Sequence, residues 1–459
     1  MFTSQGRKHP LLACLIVGLA LPLAPAADSP PPAQSASLTL ADLEQAALRG
    51  NPTLAQAAAN VEASRGRALQ SGLYPNPTIG YEADRINAAG SAGEMQGLFI
   101  DQTIVTAGKL RLSRAKFGQE VSQMESQALA QQYRVLNGVR TRYYQLLAMQ
   151  RLLAVRAGLL KNADDAVTTT EQLKNVGAAN KPDVLQAHIE ARQEKVALEN
   201  ARALYDAAWQ QLAAFVGDPC LPLGRLEGNL DAPGAAPDYD AALAHLLEAS
   251  PELQIARAEI TRNQIGLKRE QVEPIPNIQA RVSNGYDFET RNDVTSVQLG
   301  VRLPLFDKNQ GNIQTAHAQL AYAQQNLCRV ELSLRQRLAR THARYRTALA
   351  TVEEYRDHSL PDAKEAYELY LDSFRNRTAA WPQVLVAQRT YFQISVDYVE
   401  ALEQLRQSET AILGLLLVDG VDEPPGAPGD SRMRQSGMGA DLPDPITPQG
   451  RSLEDRTGG

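Results

Sequence analysis

The chain says nearly the same thing twice, about 200 residues apart, and that duplication restricts it to folds with two mechanically equivalent halves. The first copy opens Asn51-Pro52-Thr53-Leu54 and reaches Tyr74-Pro75-Asn76-Pro77 after a helical stretch. The second opens Ser250-Pro251-Glu252-Leu253 and reaches Pro274-Ile275-Pro276-Asn277, with its prolines at the same 23- and 25-residue intervals. Pro182-Asp183-Val184-Leu185 is echoed by Pro382-Gln383-Val384-Leu385 at a separation of 200. A repeat of this length directs attention to architecture before side-chain chemistry.

The first 26 residues read as an export signal. Arg7 and Lys8 precede an apolar run from Leu11 to Ala24, and Ala24-Pro25-Ala26 supplies small residues for cleavage after Ala26. Cys14 lies at the front of that run, not at its end where a lipidation site belongs. Cys220 and Cys328, one in each half, form neither a disulfide framework nor a metal cluster. The remaining chain carries 44 basic and 52 acidic residues, a balance that disfavours nucleic acid as a partner. No later apolar run reaches the 18 or so residues of a membrane-spanning helix, although a β-barrel hides in weaker, alternating strands.

A flexible lead-in is expected over 27–37, an inter-repeat linker over 221–237 and a disordered tail over 419–459. The repeats occupy 38–220 and 238–418, and each reads helix, two strands, very long helix, turn, helix. Strands are expected over about 77–86, 95–105, 276–288 and 294–305. In the third, Ile278, Ala280, Val282, Tyr286 and Phe288 share a face, with Asn284 as the exception; in the fourth, Val297, Leu299, Val301, Leu303 and Leu305 alternate with polar residues. Period-two patterning with one apolar face describes a sheet wetted on one side only. The first pair is less tidy: Ile79, Tyr81 and Ala83 alternate, but Leu98 to Val105 mixes the faces, and the Ala88–Gly93 loop is expected to be flexible.

Lys109 to Val176 contains no proline, so a helix over 109–176 would extend roughly 100 Å. Its counterpart over 312–376 steps through Leu334, Leu338, Thr341, Tyr345, Ala348, Val352 and Tyr355 at heptad spacing. Pro361 restarts this second helix, with Ser359 as its expected cap. Return helices are expected over 183–216 and 383–417. Gly108 and Gly311 stand where a strand turns into a long helix, places where a missing Cβ avoids clashes. Gly177 ends the first long helix. Shafts of this length joined to amphipathic hairpins make sense as a tube reaching from an outer membrane into the periplasm. Two strand pairs are too few to close a barrel, whereas three chains supply twelve strands.

At these residues the chain resembles the TolC family of outer-membrane efflux channels, particularly its CzcC-like branch for cobalt, zinc and cadmium. The likeness rests on Asn51-Pro52-x-Leu54, Tyr74-Pro75-Asn76-Pro77, Gln102-x-Ile104-x-x-Ala107-Gly108-Lys109 and, most specifically, Leu303-Pro304-Leu305-Phe306-Asp307-Lys308-Asn309-Gln310-Gly311. It implies a mainly α fold with a transmembrane β part: a homotrimer with a 12-stranded barrel and a 12-helix periplasmic tunnel. It also implies a periplasmic adaptor protein and an inner-membrane resistance-nodulation-division pump as partners, with the channel a passive conduit. The turn between paired helices becomes the periplasmic tip, where the adaptor docks and the closed tunnel narrows. Gly177 and Asp183 match the first tip. At the second, Asn376 or Arg377 replaces the family's glycine, and Gln383 and Val386 replace acidic gate residues. Asp183 either joins a ring of three carboxylates or caps its own helix.

Catalysis finds little support. His188, His245, His317, His342 and His358 stand singly, Ala107-Gly108-Lys109-Leu110 lacks the remainder of a phosphate loop, and Gly90-Ser91-Ala92-Gly93 lacks nucleophile-elbow spacing. No enzyme activity and no cofactor are expected. A channel for drugs or type I secretion, and a periplasmic coiled-coil scaffold or adaptor, are the competing readings.

Overall fold

The computed structural model describes residues 38–84, 95–177, 179–231 and 237–420. The expected leader, the lead-in, the Ala88–Gly93 loop and most of the tail lie outside them. Within them the duplicated order appears as α1 (Leu40–Gly50), α2 (Pro52–Gln70), β1 (Thr78–Asp84), β2 (Met95–Ile104), α3 (Lys109–Asn175) and α4 (Lys181–Val216). It recurs as α5 (Tyr239–Ala249), α6 (Pro251–Val272), β3 (Ile278–Asp287), β4 (Asn292–Val301), α7 (Gln310–Glu354), α8 (Leu360–Arg375) and α9 (Trp381–Leu413).

Each repeat thus begins with two helices, broken at the Asn-Pro and Ser-Pro pairs. Pro at the first helical position sacrifices no intrahelical bond. Asn51 caps α2 by accepting from the Thr53 amide at 3.0 Å, and its own amide donates to the Phe215 carbonyl at 2.9 Å. The break therefore also ties α2 to the end of α4. Ser250 occupies the equivalent place without a side-chain cap, and its buried hydroxyl has no partner.

At 67 residues, α3 extends about 100 Å. Around its middle it packs on α1, α4 and α9, so Val135, Val139, Tyr143, Leu146 and Leu147 join one core with Trp209, Leu212, Phe215, Leu402 and Leu405. The heptad reading of α7 holds: Leu334, Leu338, Tyr345, Ala348 and Val352 are all buried.

Ser359 is not a cap, contrary to expectation. Its backbone is helical, it makes no side-chain cap bond, and Tyr355–Ser359 forms a π-turn that carries α7 into α8. Proline lacks an N–H, and a widened turn accommodates the missing bond without ending the helix. Two residues of the expected tail, Asp419 and Gly420, are among the described residues. Gly420 is packed against Val135, and its carbonyl accepts from Gln131 and Thr53, each at 3.1 Å.

The strands form one antiparallel sheet in the order β1-β2-β3-β4, with β2 of the first repeat paired to β3 of the second. β4 ends at Val301, four residues short of the expected 305, and leaves Leu303, Leu305 and Phe306 exposed.

Candidate channel surface and periplasmic tip

The sheet separates its two faces by register. Ile79, Ile100, Val282 and Val297 lie side by side across all four strands, and Tyr81 and Leu98 continue the same face with Asn284 and Thr295. Ile79, Tyr81, Leu98, Val297 and Leu299 are each more than 60% exposed, so none of the described residues covers this apolar face. The opposite face is polar. Arg281 lies over the Phe99 ring at 3.8 Å and reaches Glu82 on β1, while Phe99 sits against Gly80, where a Cβ would approach the ring within 2.6 Å. The apparent mixing of faces in β2 is thereby resolved. Leu98, Ile100 and Ile104 point outward, and Phe99 is an inward aromatic held by an arginine, not an error in alternation.

Where sheet becomes shaft, Ala107 and Gly108 take consecutive left-handed conformations, with φ of 56° and 65°. Thr106 and Lys109 then clasp the other repeat. The Thr106 hydroxyl donates to the Pro276 carbonyl at 2.7 Å, and the buried Lys109 ammonium donates to the Ile275 carbonyl at 2.7 Å and to Asn277 at 3.2 Å. Burial lowers the Lys109 pKa, and the nearby Glu273 carboxylate opposes that shift.

The Gly311 expectation is corrected. A Cβ there would meet nothing, and the left-handed residue before α7 is Asn309, with φ of 61°. The Asn309 amide donates to the Glu270 carbonyl and carboxylate, both at 2.9 Å. Asparagine tolerates this conformation and adds a tether that glycine lacks.

At the far end, the expected tip residues fall on two equivalent turns. Gly177 is left-handed with φ of 72°. On the second turn Arg377, not Asn376, takes that role with φ of 62°. Asp183 accepts from the Asn180 amide at 3.0 Å while Asn180 accepts from the Asp183 amide at 3.0 Å, a reciprocal cap on α4. Gln383 repeats half of this arrangement by accepting from the Ala380 amide at 3.1 Å. In the single chain both side chains serve their own helices, and Val386 is exposed.

Sequence reading missed what holds the two turns together. Ala166 and Ala187 leave room for Tyr367, Phe374, Trp381 and Val384 from α8 and α9. Arg389 pairs with Glu190 across the gap, and Tyr367 stacks on Tyr391 at 6.0 Å. Burial pushes the Tyr367 hydroxyl up to about 12. The aromatic density of 367–392 was the available signal.

Among the described residues no three His, Cys, Asp or Glu side chains are grouped to hold a metal ion. No described helix is long and apolar enough to cross a membrane.

The sequence matches the outer membrane efflux protein family over residues 43–218 and 242–416, one segment in each repeat. It is similar to the cobalt-zinc-cadmium resistance protein CzcC of Cupriavidus metallidurans, at 26% identity over 270 residues. That alignment covers 59% of this chain and 64% of the relative, a little under two thirds of its length. The fold is similar to the outer membrane protein VceC of Vibrio cholerae, with a TM-score of 0.70, 17% identity and coverage of 83% of this chain and 96% of that one. It is also similar to CusC, with a TM-score of 0.71, 15% identity and coverage of 84% and 93%. The MtrE outer membrane channel of Neisseria gonorrhoeae gives a TM-score of 0.68, 16% identity and coverage of 84% and 90%. With both repeats matched and the same shaft-and-sheet fold, the chain belongs to the outer membrane efflux protein family.

Proposed function

We propose that this chain is the outer-membrane channel of a tripartite efflux system. Three copies close their sheets into a 12-stranded barrel, and their paired shafts continue it as a helical tunnel through the periplasm. A periplasmic adaptor and an inner-membrane pump of the resistance-nodulation-division class deliver the cargo, and the channel is a passive conduit without a catalytic step.

The observation that carries this reading is the sheet: one face apolar and, among the described residues, uncovered, the other polar, both edges unpaired among those residues, and every strand pair continuing into a long helix. A scaffold protein would bury those apolar residues against protein. Here Ile79, Leu98, Val297 and Leu299 face outward with none of the described residues over them, as lipid contact requires. Heavy-metal cations are the proposed cargo, by analogy with the relative named for cobalt, zinc and cadmium resistance.

The test has two arms. The protein should leave outer membranes only with detergent and should run as a trimer; recovery as a soluble periplasmic monomer overturns the channel. A strain lacking it should lose tolerance to cobalt, zinc or cadmium. Unchanged metal tolerance with increased sensitivity to antibiotics keeps the channel and overturns the cargo.

A further inference from the structure

The internal duplication fixes how the free edges of the sheet meet a second copy. Outward side chains are odd-numbered in β1 (Ile79, Tyr81) and even-numbered in β3 (Ile278, Val282), so the offset between these strands is odd. Pro75 and Pro77 set against Pro274 and Pro276 make it 199. β2 is outward at even positions (Leu98, Ile100) and β4 at odd ones (Val297, Leu299), and the left-handed Gly108 and Asn309 make that offset 201. The two offsets carry the observed pair Ile79↔Ile100 onto Ile278↔Val301, which is the observed register of β3 with β4.

Applied to the paired strands β2 and β3, the same offsets generate the missing contact. Ile104↔Ile278 becomes Leu305↔Ile79, Asp101↔Arg281 becomes Arg302↔Glu82, and Ile100↔Val282 becomes Val301↔Ala83. We propose that β4 of one copy pairs antiparallel with β1 of the next in this register, with Arg302 opposite Glu82 on the inward face. The proposal rests on the channel reading and specifies its subunit interface.

Three observations support it. First, charge complementarity survives the operation with its sign reversed: within the chain an acid on β2 faces Arg281, and between chains Arg302 faces an acid on β1. Opposite charges directly across a ladder stabilise it, and like charges destabilise it. Glu82 already holds Arg281, so Arg302 extends an existing ion pair into a belt inside the barrel.

Second, β4 stops at Val301 although the apolar alternation runs on to Leu305. β3 begins at Ile278, opposite Val301, so Leu303 and Leu305, at 66% and 69% exposed, have no partner strand among the described residues. Third, the clasp of Thr106 and Lys109 on Ile275–Asn277 maps onto Asp307 and Gln310 against Asn76–Thr78, a contact only a second copy can make.

The test is disulfide capture in the full chain in outer membranes, with Cys14, Cys220 and Cys328 replaced by serine. Adjacent antiparallel pairs alternate between close and wide Cα spacing, so one of two consecutive pairs suits a disulfide. Glu82→Cys with Arg302→Cys, and Ala83→Cys with Val301→Cys, are therefore made in parallel; the second leaves the charges intact. A two-residue slip keeps the inside-outside alternation and places Arg302 opposite Asp84, so Asp84→Cys with Arg302→Cys is the control. Oxidation should convert one of the first two variants into covalent dimers and trimers on non-reducing gels, at least fivefold more than the control. Preferential capture of the control pair in a protein that is still trimeric overturns the register and leaves the channel standing. A parent protein that is monomeric in detergent overturns the channel reading and this interface with it.

Discussion

Asn137 does a task no sequence pattern announces. It is fully buried in the middle of α3, and its amide donates to the Gly414 carbonyl at 2.8 Å and the Leu417 carbonyl at 2.6 Å, closing the end of α9. Gly414 is required beside it, because a Cβ there would lie within 2.4 Å of the Asn137 side chain. Asn137→Ala removes the donor and leaves buried carbonyl capacity unmet, so it should cost about 2 kcal/mol in denaturant unfolding of the detergent-solubilised protein. A loss under about 0.5 kcal/mol would mean that water replaces the amide. In the sequence Asn137 is flanked at helical spacing by Arg134, Arg140 and Thr141 and so does not stand out, and its acceptors lie some 280 residues away. Asn309 illustrates the same limit. The sequence places a strand-to-helix turn near Gly311, yet which residue turns left-handed is settled by the tether to Glu270.

Elements were legible where their signal is local. The absence of proline announces α3, and period-two alternation announces β3. The π-turn at Tyr355–Ser359 was not legible, because proline at 361 looks the same whether a helix restarts or widens to pass it. The two left-handed turns at the far end of the shafts test how far the repeats are equivalent as elements. Gly177 and Arg377 occupy the same left-handed position, but only glycine does so without steric cost. Gly177→Ala should destabilise the protein by about 1 kcal/mol, and Arg377→Gly should stabilise it by a similar or smaller amount. Thermal unfolding of both variants in detergent provides the check. If Arg377→Gly destabilises instead, the arginine side chain makes a contact in the assembled protein that outweighs its backbone strain.

The duplication, the topology and the inside-outside division of the sheet all follow from patterns that repeat along the whole molecule. The course of the chain beyond Val301 does not, because β3 ends opposite that residue and the strand proposed to pair with Leu303 and Leu305 belongs to another copy. What the whole molecule must satisfy is a lipid boundary on one face of the sheet and water on the other, and neighbouring residues Ser296 and Val297 at mid-strand probe that division. Val297 lies in the outward row with Ile79, Ile100 and Val282, while Ser296 pairs with Ser283 on the inward face. A lysine near the bilayer midplane costs roughly 2–4 kcal/mol on a lipid face and little facing an aqueous lumen. Val297→Lys should therefore strongly reduce the trimer recovered from outer membranes, whereas Ser296→Lys should leave its yield within about twofold of the parent. Both exposed positions sit in one strand, so a general intolerance of β4 to lysine would lower both yields together. Equal losses, or a greater loss for Ser296→Lys, would invert the assignment of faces and with it the direction in which the barrel closes.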